Sequence, residues 1–207
     1  MDIPAAGLDP EATYKLITGI IVPRPIAWVT TLSPGGAVNL APFSAFTFVS
    51  NKPPMVGINV GRKAGRLKDT GVNIHAGGEF VVNIADETLI EPVHLSAIEY
   101  APEVSEADLL GLALKASQAV RVPSLAAAPI SLECRFHSAT AYGETGSEFM
   151  VGEVLVFHIR DGLCVNGKID TAQLRPLCRI GGPNYAKLGE ILSMQPIGQT
   201  PKTVLGA

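Results

Sequence analysis

The chain has 207 residues, of which 47% are hydrophobic and 17% are charged, and its formal net charge at pH 7 is -3. This balance is typical of a folded globular protein and excludes an intrinsically disordered chain. The acidic balance and the absence of a long run of Lys and Arg argue against a nucleic-acid partner.

The N-terminus, the apolar runs and the cysteines indicate the compartment. Residues 1–4 have neither the basic nor the apolar region of a signal peptide. No apolar run approaches the roughly 20 residues of a membrane span. Cys134, Cys164 and Cys178 form no CxxC pair, which argues against a disulfide framework and a zinc site. We therefore expect a cytoplasmic protein with no membrane partner and no metal.

The first third of the chain is predicted to consist of strands. An apolar, β-branched segment follows Pro25, and a turn at 33–36 contains Pro and two glycines. The predicted strands are 26–32, 37–40, 43–49 and 55–60.

The middle of the chain changes to a helical pattern. Asp69 or Thr70 is predicted to cap a short helix over 72–76, which Gly77 and Gly78 end. A strand over 79–84 follows, and Asp86 is predicted to open a helix that runs to residue 95. Ser105 begins a capping box before a predicted helix over 109–114.

Two long strands, 129–142 and 149–159, are predicted on either side of a Gly-containing turn at 143–146, and residues 163–207 show little periodicity. Strands therefore dominate both ends and a helical insert lies between them. This order predicts a mainly β protein with helical insertions, built as one antiparallel barrel domain over residues 1–207.

A basic cluster leads into the first predicted helix. It contains Arg62, Lys63, Arg66 and Lys68. A helix start offers free N–H groups and a partial positive charge, so the cluster and the helix together suit a phosphate group. The alternative is a solvated loop with an ordinary N-cap.

Residues 23–31 combine unusual features. Arg24 is held between two prolines, the only Trp is Trp28, and Thr30 and Thr31 close the strand. Such a segment could offer a charged fork, a flat wall and hydrogen-bond donors to one ligand. The alternative is an edge strand whose Trp fills the core.

Residues 39–46 follow this segment. Asn39 and Ser44 could hydrogen-bond the edge of a heterocycle, and the small side chain of Ala45 would let a ring approach the backbone. The alternative is a simple bend between two strands.

These segments carry a resemblance. The ordered series PRPIAWVTT, NLAPFSAF, GRKAGRLKDT and GEFVVNI resembles the flavin reductase-like family with the FMN-binding split barrel. It is most similar to the branch that contains flavoredoxins and the reductase components of two-component monooxygenases. The later segment RIGGPNYA at 179–186 resembles the same branch, and the match covers about residues 14–190.

The resemblance implies an antiparallel split β-barrel that forms a homodimer and binds FMN near the subunit boundary. It implies three groups of cofactor-binding residues. The group beside the flavin and its ribityl-phosphate arm is Arg24, Trp28, Val29, Thr30 and Thr31. The group at the isoalloxazine edge is Asn39, Ser44, Ala45 and Phe46. The group at the phosphate is Gly61, Arg62, Lys68, Asp69 and Thr70, where Asp69 would use its backbone N–H or orient Lys68.

Two further residues are candidates for a catalytic role by the same resemblance. Tyr185 is expected near the exposed flavin face, where it could also reach across a dimer interface. His158 lies on a strand whose counterpart in the family runs past the substrate pocket. The four histidines have no HxH or HExxH spacing, so a metal site is not expected.

The function that the resemblance implies is NAD(P)H-dependent flavin reduction. A nicotinamide, from NADH or NADPH, would pass hydride to flavin N5. The reduced flavin would then donate to free flavin, an oxygenase component, dioxygen or another small acceptor. Two alternatives remain open, namely a non-enzymatic FMN electron carrier resembling flavoredoxin and a barrel that has lost its flavin.

Overall fold

The computed structural model describes residues 1–204, and its centre is an antiparallel sheet. Five α-helices are present in the described chain: α1 (Pro10–Ile20), α2 (Asp69–Gly77), α3 (Ile90–Leu95), α4 (Glu106–Leu109) and α5 (Thr171–Leu174), with a 3-10 turn at Glu87–Leu89. The strands are β1 (Arg24–Pro25), β2 (Ala27–Leu32), β3 (Val38–Phe43), β4 (Phe46–Asn51), β5 (Pro54–Val60), β6 (Arg62–Lys63), β7 (Arg66–Leu67), β8 (Glu79–Ile84), β9 (Leu114–Lys115), β10 (Ser124–Leu125), β11 (Ile130–Tyr142), β12 (Ser147–Ile159), β13 (Cys164–Val165), β14 (Lys168–Ile169), β15 (Cys178–Arg179) and β16 (Tyr185–Ala186).

Seven strands form the main sheet in the order β3-β2-β8-β11-β12-β5-β4, and every neighbouring pair is antiparallel. The two longest strands, β11 and β12, pair along their length with register shifts at Glu133/Cys134 and Phe136/Ser138. Such bulges bend a strand and increase its twist. The long pair can therefore curve around the core.

The largest core lies on one face of this sheet. It contains Val29, Ile58, Phe80 and Met150, none of which is exposed to solvent. A Cβ added at Gly152 would lie 2.4 Å from the Phe80 ring, so only glycine leaves room for this ring.

A second core lies under the helices that follow β8. Trp28, Leu40 and Val93 are fully buried in it, and the indole Nε1 of Trp28 donates to Ser96 Oγ at 2.9 Å. This packing fixes the segment after α3 against β2 and β3. The fixed segment forms one wall of the cavity described below.

Several strand predictions are confirmed. The segment predicted at 26–32 is β2, the segment at 37–40 begins β3, and the segment at 79–84 is β8. The long strands predicted at 129–142 and 149–159 are β11 and β12. Apolar and β-branched residues bounded by Pro and Gly turns make such segments recognisable.

The helix boundaries required correction. Helix α1 was not predicted, although Asp9 Oδ1 accepts from Ala12 N at 2.7 Å and Pro10 occupies its first position. Helix α2 begins at Asp69 rather than at 72, and Lys68 is its N-cap, so the prediction that Asp69 or Thr70 caps it is wrong.

Two other boundaries differ. Ser105 caps a helix as predicted, but this helix, α4, spans Glu106–Leu109 instead of 109–114. It ends there because Gly111 turns the chain with φ 63°. The strand predicted at 43–49 begins only at Phe46, since Ser44 and Ala45 form a bend between β3 and β4.

Candidate functional site

A cavity of about 400 Å³, named the α2 cavity here, lies between β3, the β6–β7 hairpin, the start of α2 and the segment 96–106. Its lining residues are Asn39, Ala41, Pro42, Phe43, Lys63, Arg66, Leu67, Lys68, Asp69, Thr70, Val72, Ser96, Ala97, Ile98, Glu99, Tyr100 and Glu106. The wall therefore combines an apolar strand face with a cationic helix start.

The start of α2 is the most distinctive part of this cavity. Its N-cap residue is Lys68, and no side chain caps the helix. The first N–H groups of a helix have no partner within it, so an uncapped start is a site for an anion. Lys68 and Arg66 are exposed beside it, and Lys63 is paired with Glu99.

Behind the helix start, a hydrogen-bond network joins α2 to β2 and β3. Asn39 Nδ2 donates to Thr70 Oγ1 at 2.9 Å and to Thr31 Oγ1 at 3.3 Å. Asn73 Nδ2 also donates to Thr31 Oγ1, at 3.1 Å. These buried contacts hold Asn39 and Thr70 at fixed positions in the cavity wall.

Glu106 places a carboxyl group on the inner wall. Its side chain is buried, and Oε2 accepts from the backbone N of Leu40 at 2.8 Å on β3, an edge strand of the main sheet. Burial raises the pKa of Glu106, and the negative charge of Asp69 raises it further, while the Leu40 N–H lowers it. Protonation of Glu106 would make the cavity more favourable for an anion.

A second cavity, of about 350 Å³ and named the Arg179 cavity here, adjoins the first. Its lining residues are Tyr14, Thr18, Arg24, Ile26, Pro42, Ser44, Ala97, Arg179, Gly182 and Tyr185. Pro42 and Ala97 line both cavities. The two cavities are therefore neighbours that share this part of their walls.

Arg24 ties together three separate segments at the Arg179 cavity. Its Nη1 donates to the carbonyl oxygens of Thr18 at 2.5 Å and Ile21 at 2.6 Å, and its Nη2 donates to Ile180 O at 3.1 Å. Its Nε donates to Ser44 Oγ at 3.2 Å. The guanidinium thus fixes the end of α1, the β4 entry and the segment after β15.

Tyr185 belongs to a polar cluster in the same cavity. Its hydroxyl accepts from Arg179 Nη1 at 2.7 Å and lies 3.2 Å from His94 Nδ1. The Arg179 guanidinium lies 4.6 Å from the centre of the Tyr185 ring. Burial raises the pKa of Tyr185, and the adjacent Arg179 charge offsets part of that rise.

Comparison with known proteins identifies the family. Residues 19–171 match the family described as "Flavin reductase like domain". The chain belongs to the flavin reductase-like family. An uncharacterized protein of Halalkalibacterium halodurans is 42% identical over 199 residues, which cover 94% of this chain and 95% of that protein.

Solved structures show the same fold. Nitrilotriacetate monooxygenase component B from Bacillus cereus superposes with a TM-score of 0.91 at 37% identity, covering 94% of this chain and 98% of that one. The 2-nitrobenzoate 2-nitroreductase of Pseudomonas fluorescens gives 0.87 at 32% identity, with 98% and 99% coverage. A split-barrel protein of Shewanella frigidimarina gives 0.81 at 19% identity, with 93% and 95% coverage. The predicted family and the predicted split-barrel fold are confirmed.

Seven of the residues predicted for the flavin site line the two cavities of this flavin reductase-like protein. Asn39, Lys68, Asp69 and Thr70 line the α2 cavity, and Arg24, Ser44 and Tyr185 line the Arg179 cavity. These predicted positions thus lie in two neighbouring cavities.

Four predicted residues of β2 lie behind the cavity wall. Trp28 and Val29 are core residues, and Thr30 Oγ1 donates to Pro123 O at 2.7 Å. Thr31 receives the amide donors of Asn39 described above. Their side chains are fully buried, so they support the wall rather than line it.

The remaining predicted residues lie beside the cavities or away from them. Ala45 is exposed, and Phe46 packs against the main core. Gly61 precedes β6, where Arg62 donates to Gly146 O and pairs with Glu148, both at 2.7 Å.

The structure places His158 outside both cavities. Its Nε2 lies 2.5 Å from Glu133 Oε1, and the Glu133 side chain is fully buried. Glu133 also accepts from the backbone N–H groups of Gln118 and Ala119. His158 therefore closes a buried carboxylate network on the outer side of β11 and β12.

Sequence reasoning missed the residues 96–100 and Glu106 in the α2 cavity. Glu106 was visible only as part of the Ser105 capping box, which gives no sign that its carboxyl group reaches β3. Among residues 1–204, no helix is both long and apolar enough to cross a membrane. Within the same residues, no group of three or more His, Cys, Asp or Glu side chains is placed to hold a metal ion.

Proposed function

We propose that this protein is an NAD(P)H-dependent flavin reductase that binds FMN and passes hydride from a nicotinamide to flavin N5. The observation that carries the proposal is a pair of neighbouring cavities that share Pro42 and Ala97 in their walls, with an uncapped cationic helix start in one of them. The helix start suits a phosphate, and a second cavity lies next to that site.

The residues of the α2 cavity fit FMN. Lys68, Arg66 and the first N–H groups of α2 would hold the phosphate, because charge and helix dipole both favour an anion there. Asn39 and Thr70 offer polar groups fixed by their own hydrogen bond. The Asp69 carboxylate opposes a phosphate, so we propose that this residue acts through its backbone N–H.

FMN supplies hydride acceptance when it is bound, so the chain has to position and shield rather than attack. Pro42 and Phe43 present an apolar wall that would exclude water from the ring. Ser44, whose hydroxyl accepts from Arg24 Nε, would hydrogen-bond the ring edge from the neighbouring wall of the Arg179 cavity. Tyr185 would lie close to the face that a nicotinamide approaches.

Steady-state oxidation of NADH and of NADPH with added FMN tests this proposal. Turnover with at least one donor is expected, and it should disappear when FMN is omitted from flavin-free protein. FMN binding without turnover by either donor would contradict the reductase proposal and favour an electron carrier. Failure to bind FMN would contradict both.

The similarity to a monooxygenase component supports a further part of the proposal. A reductase of this type can pass reduced flavin to an oxygenase component. The 37% identical Bacillus cereus protein is component B of a nitrilotriacetate monooxygenase. We propose an oxygenase as one physiological acceptor. Faster NADH oxidation on addition of a purified candidate oxygenase, coupled to hydroxylated product, would support it, and product formation that needs no reductase would contradict it.

We also propose a homodimer, because α1 leaves an apolar face open. None of its residues is buried, and Tyr14, Ile17 and Ile20 expose 68%, 50% and 75% of their surface. Monomeric proteins rarely expose a large contiguous apolar patch. Light scattering after size exclusion should show a dimer that Ile20→Glu weakens and the matched change Val165→Glu, at another exposed apolar residue, leaves intact. A wild-type monomer would contradict the proposal.

A further inference from the structure

The Arg179 cavity has a net positive charge that the chain itself does not neutralise. Arg24 and Arg179 line it, and none of its lining residues is Asp or Glu. Among the described residues, neither guanidinium has an ion-pair partner. Arg24 exposes only 9% of its surface, and its hydrogen bonds go to carbonyl and hydroxyl oxygens.

A buried charge without a counter-ion is unfavourable, even when its hydrogen bonds are made. An anion that enters the cavity would offset this cost. The charge of Arg24 therefore favours an anionic ligand, although most of its N–H groups are already used within the chain. The direct contact has to come from another residue.

Arg179 can make that contact. A guanidinium has five N–H donors. Three of them are used: Nε and Nη2 each donate to Gly182 O, at 3.1 and 2.8 Å, and Nη1 donates to the Tyr185 hydroxyl. One N–H therefore remains on each terminal nitrogen, and both are available as donors to the oxygens of a carboxylate.

The rest of the cavity suits a flat ring. Tyr14, Tyr185, Ile26 and Pro42 supply aromatic and apolar surface, and Thr18 supplies a hydroxyl group. The volume of about 350 Å³ is at the lower end of the range of roughly 300–1,000 Å³ for small-molecule sites. A single substituted ring fits within this volume, whereas a dinucleotide would exceed it.

We infer that the Arg179 cavity binds a planar aromatic carboxylate, with its carboxylate on Arg179 and its ring against Tyr185 and Pro42. Pro42 also lines the α2 cavity, so this ligand would lie next to the bound flavin. A ligand of this class would serve as the small electron acceptor of the protein. Its role as an acceptor rests on the proposed flavin reductase function, but its binding does not.

Calorimetric titration with sodium benzoate tests the inference, with neutral benzamide and non-aromatic acetate as comparison ligands. Each is titrated into FMN-free protein and into FMN-loaded protein. Benzoate is expected to bind both forms at least about 10-fold more tightly than either comparison ligand. Equal binding of benzamide would overturn the anion site, and equal binding of acetate would overturn the aromatic part.

Two variants locate the site. Arg179→Met should weaken benzoate by about 10-fold to 100-fold, the range for one lost charged hydrogen-bonding group, and should leave benzamide nearly unchanged. Arg179→Lys keeps the charge but loses the fork, so it should fall between wild type and Arg179→Met. Arg121→Met, at a 73% exposed side chain outside both cavities, is the matched control and should bind like wild type.

The outcomes separate this inference from the proposed function. Benzoate affinity that is unchanged in both Arg179 variants, while their thermal unfolding matches wild type, would overturn it. Loss of benzoate binding on FMN loading would also overturn it, because benzoate would then compete with the flavin for one site instead of binding beside it. Turnover of NADH and FMN without benzoate binding would leave the reductase proposal intact, and benzoate binding without turnover would leave the carboxylate site intact.

Discussion

Lys68→Ala should separate the phosphate from the rest of the flavin. Lys68 is exposed at the N-cap of α2, and the structure gives it no ion pair within residues 1–204. FMN carries a phosphate dianion and riboflavin does not. The variant should therefore weaken FMN binding and leave riboflavin binding nearly unchanged.

The size of this effect follows from the exposure of Lys68. A hydrogen bond to a charged group is worth about 1.5–3 kcal/mol, and each 1.4 kcal/mol changes affinity tenfold. Solvent screening places an exposed lysine at the lower end, so a loss of about 10-fold to 30-fold is expected. The N–H groups of α2 remain in the variant, so FMN binding should be weakened rather than abolished.

Quenching of flavin fluorescence measures both dissociation constants in the same buffer. Lys168→Ala, at an exposed lysine on β14 outside both cavities, is the matched control and should bind FMN like wild type. Equal losses of FMN and riboflavin affinity in Lys68→Ala would refute the phosphate assignment. So would an unchanged affinity for FMN.

Three further changes test the carboxyl groups and the core. The folded state raises the pKa of Glu106 above its ordinary value of 4.5, so wild type should lose stability relative to Glu106→Gln as pH rises through the raised pKa. Urea unfolding at a series of pH values measures this difference, and parallel stability curves for the two proteins would contradict it. Burial would raise the pKa of Glu133, but two backbone N–H groups and a histidine lower it below 4.5. Glu133→Gln should therefore be less stable than wild type at neutral pH, and the difference should close as pH falls below 4.5. A stability difference that persists at low pH would refute this expectation. Gly152→Ala should lower the free energy of unfolding by about 1–3 kcal/mol because the added Cβ would contact the Phe80 ring. Gly189→Ala, in open space, is the control and should have little effect, and equal stability of the two variants would exclude overpacking at Gly152.

Local chemistry made much of the sheet predictable. Strand β8 follows Gly77 and Gly78, and the left-handed backbone of Gly78, with φ 71°, ends α2 just before it. Asp86 and Ser105 cap the helices that follow them, as their residue types indicate. In each case the signal lies within a few residues of the element that it defines.

The cavity walls were less predictable because they depend on contacts between distant segments. Arg24 is recognisable as an Arg between two prolines, but its guanidinium binds Ile180 O, 156 residues further along the chain. Glu106 reaches Leu40 across 66 residues, and nothing in its own segment indicates that docking. Arg179 gains its significance only because the fold brings it next to Arg24 without a carboxylate.

The absorbance spectrum of freshly purified protein, before and after anaerobic addition of NADH and then NADPH, tests the central claim most directly. The α2 cavity and the neighbouring Arg179 cavity predict a protein that shows flavin absorbance, as purified or after loading with FMN. This absorbance should disappear on reaction with one of the two donors. A protein that stays colourless and fails to bind added FMN would contradict the account. Bound flavin that stays oxidised with both donors would contradict the reductase function.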